Sequence, residues 1–448
     1  MSFKTVLVAN RGEIAVRVIR ACRTLGLRAV AVCSEADRGG AWLEAADDSV
    51  CIGPGRASES YLDADALLLA AEVAGADAVH PGYGFLAENA AFAAKVEQAG
   101  LTFIGPTSDV IRLMGDKISA KAAMRAAGVP CVPGSDGALP ADPARCAEIA
   151  DEVGYPVIVK AAGGGGGRGM RVVRDGSDLA AAIATTREEA FRAFGNAELY
   201  LEKFLELPRH IEIQVLCDNH GNALWLGERD CSIQRRHQKL IEEAPAPGIP
   251  RDAIAALGER CAAACRDIGY RGVGTFEFLY ENGTFAFIEM NTRIQVEHTV
   301  TEQVTGIDIV REQLRAALGE RLSLTQQDVR TEGHAIECRI NAEHGFEGRP
   351  SPGRLTQWHA PGGPGIRVDS HMKANADVPP HYDSLIAKIV ASGCDRAECI
   401  ARMKAALAEM RVAGVAVNTG LHRFVLDQPA FREGGVSIHF LERALQGE

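Results

Sequence analysis

The chain has 448 residues, enough for two to four domains around a large buried core. Its 47% hydrophobic and 24% charged residues are those of an ordinary globular protein, and no apolar run reaches bilayer length, so no membrane partner is expected. Against 59 acidic residues stand 48 Lys and Arg, and the resulting net charge of −11 argues against nucleic acid as the default partner.

The start, Met-Ser-Phe-Lys-Thr-Val-Leu-Val-Ala-Asn, reads as a short strand and not a signal peptide. Strands are predicted at 6–9, 29–33, 49–52, 78–80 and 102–104, with helix-period apolar residues between them at 14–25, 64–74 and 89–99. That alternation predicts a doubly wound α/β unit on a parallel sheet. It lacks the Gly-x-Gly-x-x-Gly turn, which disfavours a nicotinamide cofactor. A helical stretch over 108–127 leads to Gly128-Val-Pro130, and a small segment of its own follows to about residue 204. Strand patterns then dominate at 211–216, 223–227, 275–280 and 284–288, interrupted by a helix at 253–268. The last third mixes a Gly/Pro-rich stretch at 348–365 with strands and an Ala-rich helix at 399–410. The twelve cysteines lack metal-ligand spacing; Cys261 and Cys265 read as small core residues of one helix, in a reduced, cytoplasmic protein.

Four stretches carry chemistry. Five consecutive glycines, 163–167, follow a strand ending in Lys160, and their uncovered amides suit phosphate oxygens better than packing; a plain flexible linker is the alternative. Glu277 and Glu289 flank a hairpin tipped by Asn282-Gly283. A two-residue turn would put them on opposite faces, whereas a three-residue turn with a glycine bulge would place them side by side. Two like charges there call for a cation such as magnesium, which takes oxygen ligands; two solvated edge glutamates are the alternative. Residues 228–239, Glu-Arg-Asp-Cys-Ser-Ile-Gln-Arg-Arg-His-Gln-Lys, read as a charged loop, or as a clamp for phosphate or a small anion. The decapeptide Glu289-Met-Asn-Thr-Arg-Ile-Gln-Val-Glu-His298 closes an apolar strand with carboxylates, amides, a guanidinium and an imidazole, a mixture suited to a joint cation and anion site.

In this order the segments resemble the biotin carboxylases, a branch of the ATP-grasp superfamily. The likeness runs from Ala9-Asn-Arg-Gly-Glu13 through His80-Pro-Gly-Tyr-Gly-Phe85, the glycines, Glu228-Arg-Asp-Cys-Ser232, Gln234-Arg-Arg-His-Gln-Lys239 and Glu289-Met-Asn-Thr-Arg293 to Gly333-His-Ala-Ile-Glu-Cys-Arg-Ile-Asn-Ala342. It implies a multidomain α/β and α+β chain. The implied parts are a pre-ATP-grasp α/β domain (1–114), a helical linker (115–130), a small mobile lid (131–204), an ATP-grasp core (205–330) and a mixed C-terminal domain (331–448). The lid is expected open without nucleotide and closed over it. The implied reaction is ATP-dependent carboxylation of biotin by bicarbonate through carboxyphosphate, in which positioning and charge neutralisation dominate.

The resemblance also assigns roles. Lys117, Lys160, Gly166, Gly167 and His210 would hold ATP phosphates, with His237 also at the nucleotide, and Glu202, Lys203, Phe204 and Leu205 would line the adenine pocket. Glu277, Glu289 and Asn291 would coordinate Mg2+ or Mn2+. Lys239, Arg293, Gln295 and Val296 would bind bicarbonate, Glu297 would deprotonate it as general base, and Arg339 would stabilise the enolate of biotin, whose ring Tyr83 would touch. Biotin is implied as a substrate on a biotin carboxyl carrier protein, with carboxyltransferase subunits as further partners and no biotin-acceptor segment in this chain. A homodimer is implied by a stretch around Pro364, with Arg20 and Arg367 nearby. Thr299 stands where the family usually has proline, which predicts a less stiff loop, and 341–350 departs from the family's Asp-Pro sequence. The leading expectation is the first half-reaction of acetyl-CoA carboxylase in fatty acid synthesis. Alternatives are another biotin-dependent carboxylase, acting on a different acyl-CoA, a 2-oxo acid or urea, a carboxylate–amine ligase of the same superfamily, or a non-catalytic nucleotide-binding regulator.

Overall fold

The computed structural model describes residues 3–163 and 169–447. Gly166, Gly167 and most of the glycine loop lie outside the described residues. Strands β1 (Thr5–Val8), β2 (Arg28–Cys33), β3 (Asp48–Cys51), β4 (Ala78–His80) and β5 (Thr102–Phe103) form a parallel sheet in the order β3-β2-β1-β4-β5. Helices Gly12–Thr24, Ala64–Ala74 and Ala90–Gln98 lie between them. The second starts where Asp63 accepts hydrogen bonds from the Asp65 and Ala66 amides, and ends at Gly75 with φ of 59°. The order reverses between β1 and β4, and there Asn10 Nδ2 donates to the carbonyls of Pro81 and Tyr83, 2.7 Å each. The loop that carries Tyr83 is thereby fixed.

The helical stretch predicted as one piece is two, Ser108–Gly115 and Lys117–Ala126. Asp116 intervenes and caps the second helix by accepting from the Ser119 amide. Lys117 therefore sits on the first turn of a new helix. Strands β6 (Val157–Ala161), β7 (Met170–Val173) and β8 (Leu199–Lys203) form a separate antiparallel sheet in the order β7-β6-β8. Its inner residues Val157, Val159, Leu199 and Leu201 pack against helices Pro143–Val153 and Leu179–Phe194 through Cys146, Ala150 and Leu179.

The rest is built on one large sheet. Its strands β9 (Arg209–Cys217), β10 (Ala223–Arg235), β11 (Gln238–Ala244), β12 (Gly272–Glu281), β13 (Thr284–Asn291) and β14 (His334–Asn341) are joined by Leu385–Gly393 and Ile366–Ser370. The order is β13-β12-β9-β10-β11-β14, then Leu385–Gly393 and Ile366–Ser370 at the far edge. The sheet therefore crosses residue 330 without a break. Helix Arg251–Asp267 packs on it and buries Cys261 and Cys265 as core residues.

One of the two readings of residues 228–239, the charged loop, fails here. Residues 228–239 are no loop: β10 runs on to Arg235, turns at Arg236-His237 and returns as β11. Within it Arg229, Asp230, Cys231 and Ser232 are all buried. Charged residues on a strand whose polar face looks into a site imitate a solvated loop, which is why alternation did not show it.

At the far edge Arg367 pairs within the chain, 2.7 Å from both Glu302 and Asp369, while Arg20 is exposed on helix Gly12–Thr24. Among the described residues no helix is long and apolar enough to cross a membrane.

Candidate active site

The hairpin of β12 and β13 sets the first part of the site. Its turn has two residues, Asn282 and Gly283, both left-handed with φ of 50° and 80°. Glu277 nevertheless faces Glu289, because the ladder shifts by one residue between Phe278 opposite Phe287 and Glu277 opposite Glu289. The extra residue is Ile288. The expected neighbours are right and the expected cause is wrong: the bulge lies inside the strand and not in the turn.

The register carries further. Glu277 faces Glu212 on β9, and Glu212 faces Arg229 on β10. Glu289, Glu277, Glu212 and Arg229 thus form a row across four strands. The protein answers the clustered negative charge with its own cations. Lys239 Nζ donates to Glu277 (2.9 Å), to Glu297 (2.8 Å) and to Glu212. His210 Nε2 lies 3.2 Å from Glu212 and 3.3 Å from Glu277, and Lys117 lies 3.2 Å from Glu289. Arg229 is buried and donates to Glu212, Gln214, Thr275, Thr301 and Gln295. A cation is therefore not needed merely to keep the two glutamates together.

The decapeptide wraps the end of this row. Asn291 Nδ2 and Gln295 Nε2 donate to Glu277 Oε1 at 2.7 and 2.9 Å. Arg293 is held by Glu88 (2.8 Å) and by Asn291 Oδ1 (2.7 Å). Lys388 holds the Val296 carbonyl from below at 2.7 Å. Glu297, which precedes helix His298–Thr305, is gripped from both sides by Lys239 on Oε1 and by Arg339 on Oε2 (3.1 Å). Arg339 is also anchored on Glu242 at 2.6 Å. Thr299 is buried and donates to Glu337, so the start of this helix is pinned and not loosened.

Burial and pairing compete in these groups. For Lys239 burial works against charge, but Glu212, Glu277 and Glu297 hold the ammonium well above its ordinary value. Burial pushes the Glu297 carboxyl up, and Lys239 with Arg339 overcomes it, leaving it at about 2. Glu277 is driven well below its usual range, against burial, by Lys239 and His210. Burial opposes the His210 charge too, yet Glu277 raises it to about 9, so the ring is an imidazolium at neutral pH. Lys160, pushed down to about 8 by burial and then by Lys117, ends on Glu202 at 2.6 Å.

Of the proposed adenine residues, Glu202 is buried between Lys160 and Lys121. Lys203 turns its ammonium to the carbonyls of Gly154 and Tyr155, and the Phe204 amide donates to Pro156. Leu205 continues the same crossing into the large sheet. His237 stands exposed at a hairpin tip, apart from the buried row. Tyr83 donates to Glu13 at 2.5 Å. Sequence reasoning missed Glu212, Glu242, Glu88, Lys121 and Lys388. The usable signal for Glu212 and Lys388 is one charged residue set in an apolar run, as in Ile211-Glu-Ile-Gln-Val-Leu216 and Leu385-Ile-Ala-Lys-Ile-Val390.

Three family models match in succession. They are the biotin carboxylase N-terminal domain (2–111), the ATP-binding domain of the carbamoyl-phosphate synthase L chain (116–325) and the biotin carboxylase C-terminal domain (337–443). A biotin carboxylase of Pseudomonas aeruginosa is 62% identical over 98% of both chains. The chain belongs to the biotin carboxylase family. It is an ATP-dependent ligase of the ATP-grasp type, as expected. A pyruvate carboxylase subunit from Methanothermobacter thermautotrophicus is 51% identical over 99% of this chain and 91% of its own length. Among solved structures, a Campylobacter jejuni biotin carboxylase in a βγ-ATP complex superposes with a TM-score of 0.95 at 47% identity, covering 98% of this chain and 99% of its own. The biotin carboxylase domain dimer of Hydrogenobacter thermophilus 2-oxoglutarate carboxylase, solved with MgADP, ADP and bicarbonate, gives 0.94 at 47% identity over 100% and 98%. The row from Glu289 to Arg229 and the grip on Glu297 are joined through Lys239, which donates to Glu212, Glu277 and Glu297.

Proposed function

We propose that this biotin carboxylase carboxylates biotin on its carrier protein from bicarbonate and ATP, with the residues in the roles that follow. The observation that carries the assignment is Glu297, ionised and gripped between Lys239 and Arg339. Bicarbonate is an anion and competes for those same cations, together with Arg293. As they turn to it, Glu297 loses the partners that hold its basicity down and accepts the bicarbonate proton. Gln295 and Val296 shape this pocket from the backbone and through the hydrogen bond to Glu277. Arg339 then meets the oxyanion that develops on biotin, and Tyr83 bounds the ring. Lys117, Lys160, His210 and the glycine loop with Gly166 and Gly167 serve the phosphates, His237 approaches the nucleotide, and 202–205 serve adenine.

The oxygen donors of Glu277, Glu289 and Asn291 fit Mg2+ or Mn2+, because Glu289 is 41% exposed at its side chain and free to exchange Lys117 for a cation. When bound, the ion neutralises phosphate charge. The further partners are a carrier protein and carboxyltransferase subunits, with acetyl-CoA as the final acceptor. A second copy of the chain would meet the edge near Pro364, Arg20 and Arg367, and the setting is the cytoplasm. The test is ADP release with and without bicarbonate and free biotin. Arg339→Ala should lose biotin carboxylation and keep ATP binding, whereas ADP release driven by an amine and indifferent to biotin would overturn the reading.

A further inference from the structure

A second carboxylate pair lies beside Arg339. Glu242 on β11 and Glu337 on β14 are direct partners across the antiparallel ladder, so their side chains leave the same face with Cβ atoms about 5 Å apart. Both are fully buried. Each has one oxygen engaged: Glu242 Oε1 accepts from Arg339 and Glu337 Oε2 from Thr299. The other oxygen of each, Glu242 Oε2 and Glu337 Oε1, has no hydrogen-bond partner among the described residues. Two ionised carboxylates are costly side by side in a dry interior. One proton between the unpartnered oxygens relieves the repulsion and satisfies both acceptors.

We propose that Glu242 and Glu337 share one proton, and that this pair, tied to Thr299, is a positioning element that keeps Arg339 available to the reacting anion. The proposal rests on the role given above to Arg339. The groups that face the pair are Arg339 on β14, Lys239 on β11, Cys231 on β10, Lys388 on strand Leu385–Gly393, and Glu297 and Thr299 at the start of helix His298–Thr305. Burial is the main force on both acids. It lifts Glu242 to about 7 against Arg339, and Glu337 to about 8 against Lys388, with the charge of Glu242 lifting Glu337 further. With the proton in place Arg339 sees Glu297 and a single charge from the pair. Without it, three carboxylates surround one guanidinium and cancel the charge that an oxyanion on biotin would meet. Thr299 follows Glu297 by two residues, so the same contact ties the base to the strand that carries Arg339.

Infrared spectroscopy of the nucleotide-free protein tests the shared proton without reference to catalysis. The wild type should show a protonated-carboxyl C=O band that bleaches as pH rises from about 6 to about 9 and that is missing from Glu337→Gln. No such difference band would overturn the shared proton even if Arg339 acts on biotin as described. The second reading is kcat/KM for biotin against pH. The wild type should decline on the alkaline side, and Glu337→Gln, which cannot ionise, should move that limb up by about one pH unit or more. A band that bleaches with no movement of the limb would overturn the positioning role. Should Glu337→Gln not fold, Thr299→Val keeps both acids and removes only the hydroxyl. It should move the bleaching to higher pH, and an unmoved titration would count against the anchor.

Discussion

Glu297 keeps its negative charge because Lys239 and Arg339 each occupy one of its oxygens. Glu297→Gln keeps the shape and removes the proposed base. It should lower kcat for bicarbonate-dependent ADP release by about 10²–10⁴-fold with little change in ATP binding, as single-turnover and binding measurements would show. Lys239 has a different weight, since it answers Glu212, Glu277 and Glu297 together. Lys239→Met leaves buried charge uncompensated and should cost about 3–5 kcal/mol in denaturant unfolding, as well as activity. A loss near zero would mean that His210 and Arg229 suffice. At this scale Lys239, Arg293 and Glu297 were legible in polar clusters that look like a site, and Arg339 through the family resemblance alone. Glu212 and Lys388 were not, because a single charge in an apolar strand leaves the hydrophobic pattern intact while supplying the counter-charge that the cluster needs.

Between residues and fold stands the β12–β13 hairpin, where one bulged residue decides which face Glu289 takes. Deleting Ile288 should remove the bulge and leave Glu289 directly opposite Glu277 in an uninterrupted ladder. The expected readout is ADP release that still responds to added Mg2+ in a protein of near-native far-UV circular dichroism. Loss of metal dependence would show that pairing Glu289 with Glu277 is not enough and that the bulge itself aims the carboxylate. The β10–β11 turn offers a second test. Arg236 and His237 hold φ of 51° and 64°, a region that costs L-residues about 1–2 kcal/mol each. His237→Gly should therefore stabilise the protein by about 1 kcal/mol, and an accompanying rise in KM for ATP would place the imidazole at the nucleotide. The five strands and three longer helices of the N-terminal unit were readable to within a residue or two, because apolar periodicity there is regular, whereas the short helix Ala41–Ala45 was not. The bulge and the hairpin at 228–239, buried except at its tip, were not, since register depends on the partner strand and buried polar alternation imitates a loop.

Across the whole molecule, buried titratable groups predict how stability follows pH. Burial drives His80 and His422 down to about 4, and His298 and His371 well below their ordinary 6.5. The unfolded chain takes those protons and the folded one does not, so their contribution is present above pH 6.5 and is lost as pH falls. Glu242 and Glu337 act with the opposite sign: folded, they hold a proton that the unfolded chain has shed, and stability falls as pH rises toward about 8. His210, raised to about 9, adds stability that fades as pH climbs through that value. Calorimetry should find the highest Tm near neutrality, with the steeper fall on the acid side where four imidazoles titrate. The family and its succession of segments were legible from ordered motifs. That one sheet spans residue 330 was not, because strand pairing between distant segments leaves no local trace. A common sheet has a mechanical consequence. Glu277 and Glu289 on its first two strands and Arg339 on its sixth keep fixed separations, like marks on one ruler. In the roles proposed for these residues, the distance between phosphoryl chemistry and carboxyl delivery is therefore set at folding, and any adjustment during turnover is left to what packs over the sheet.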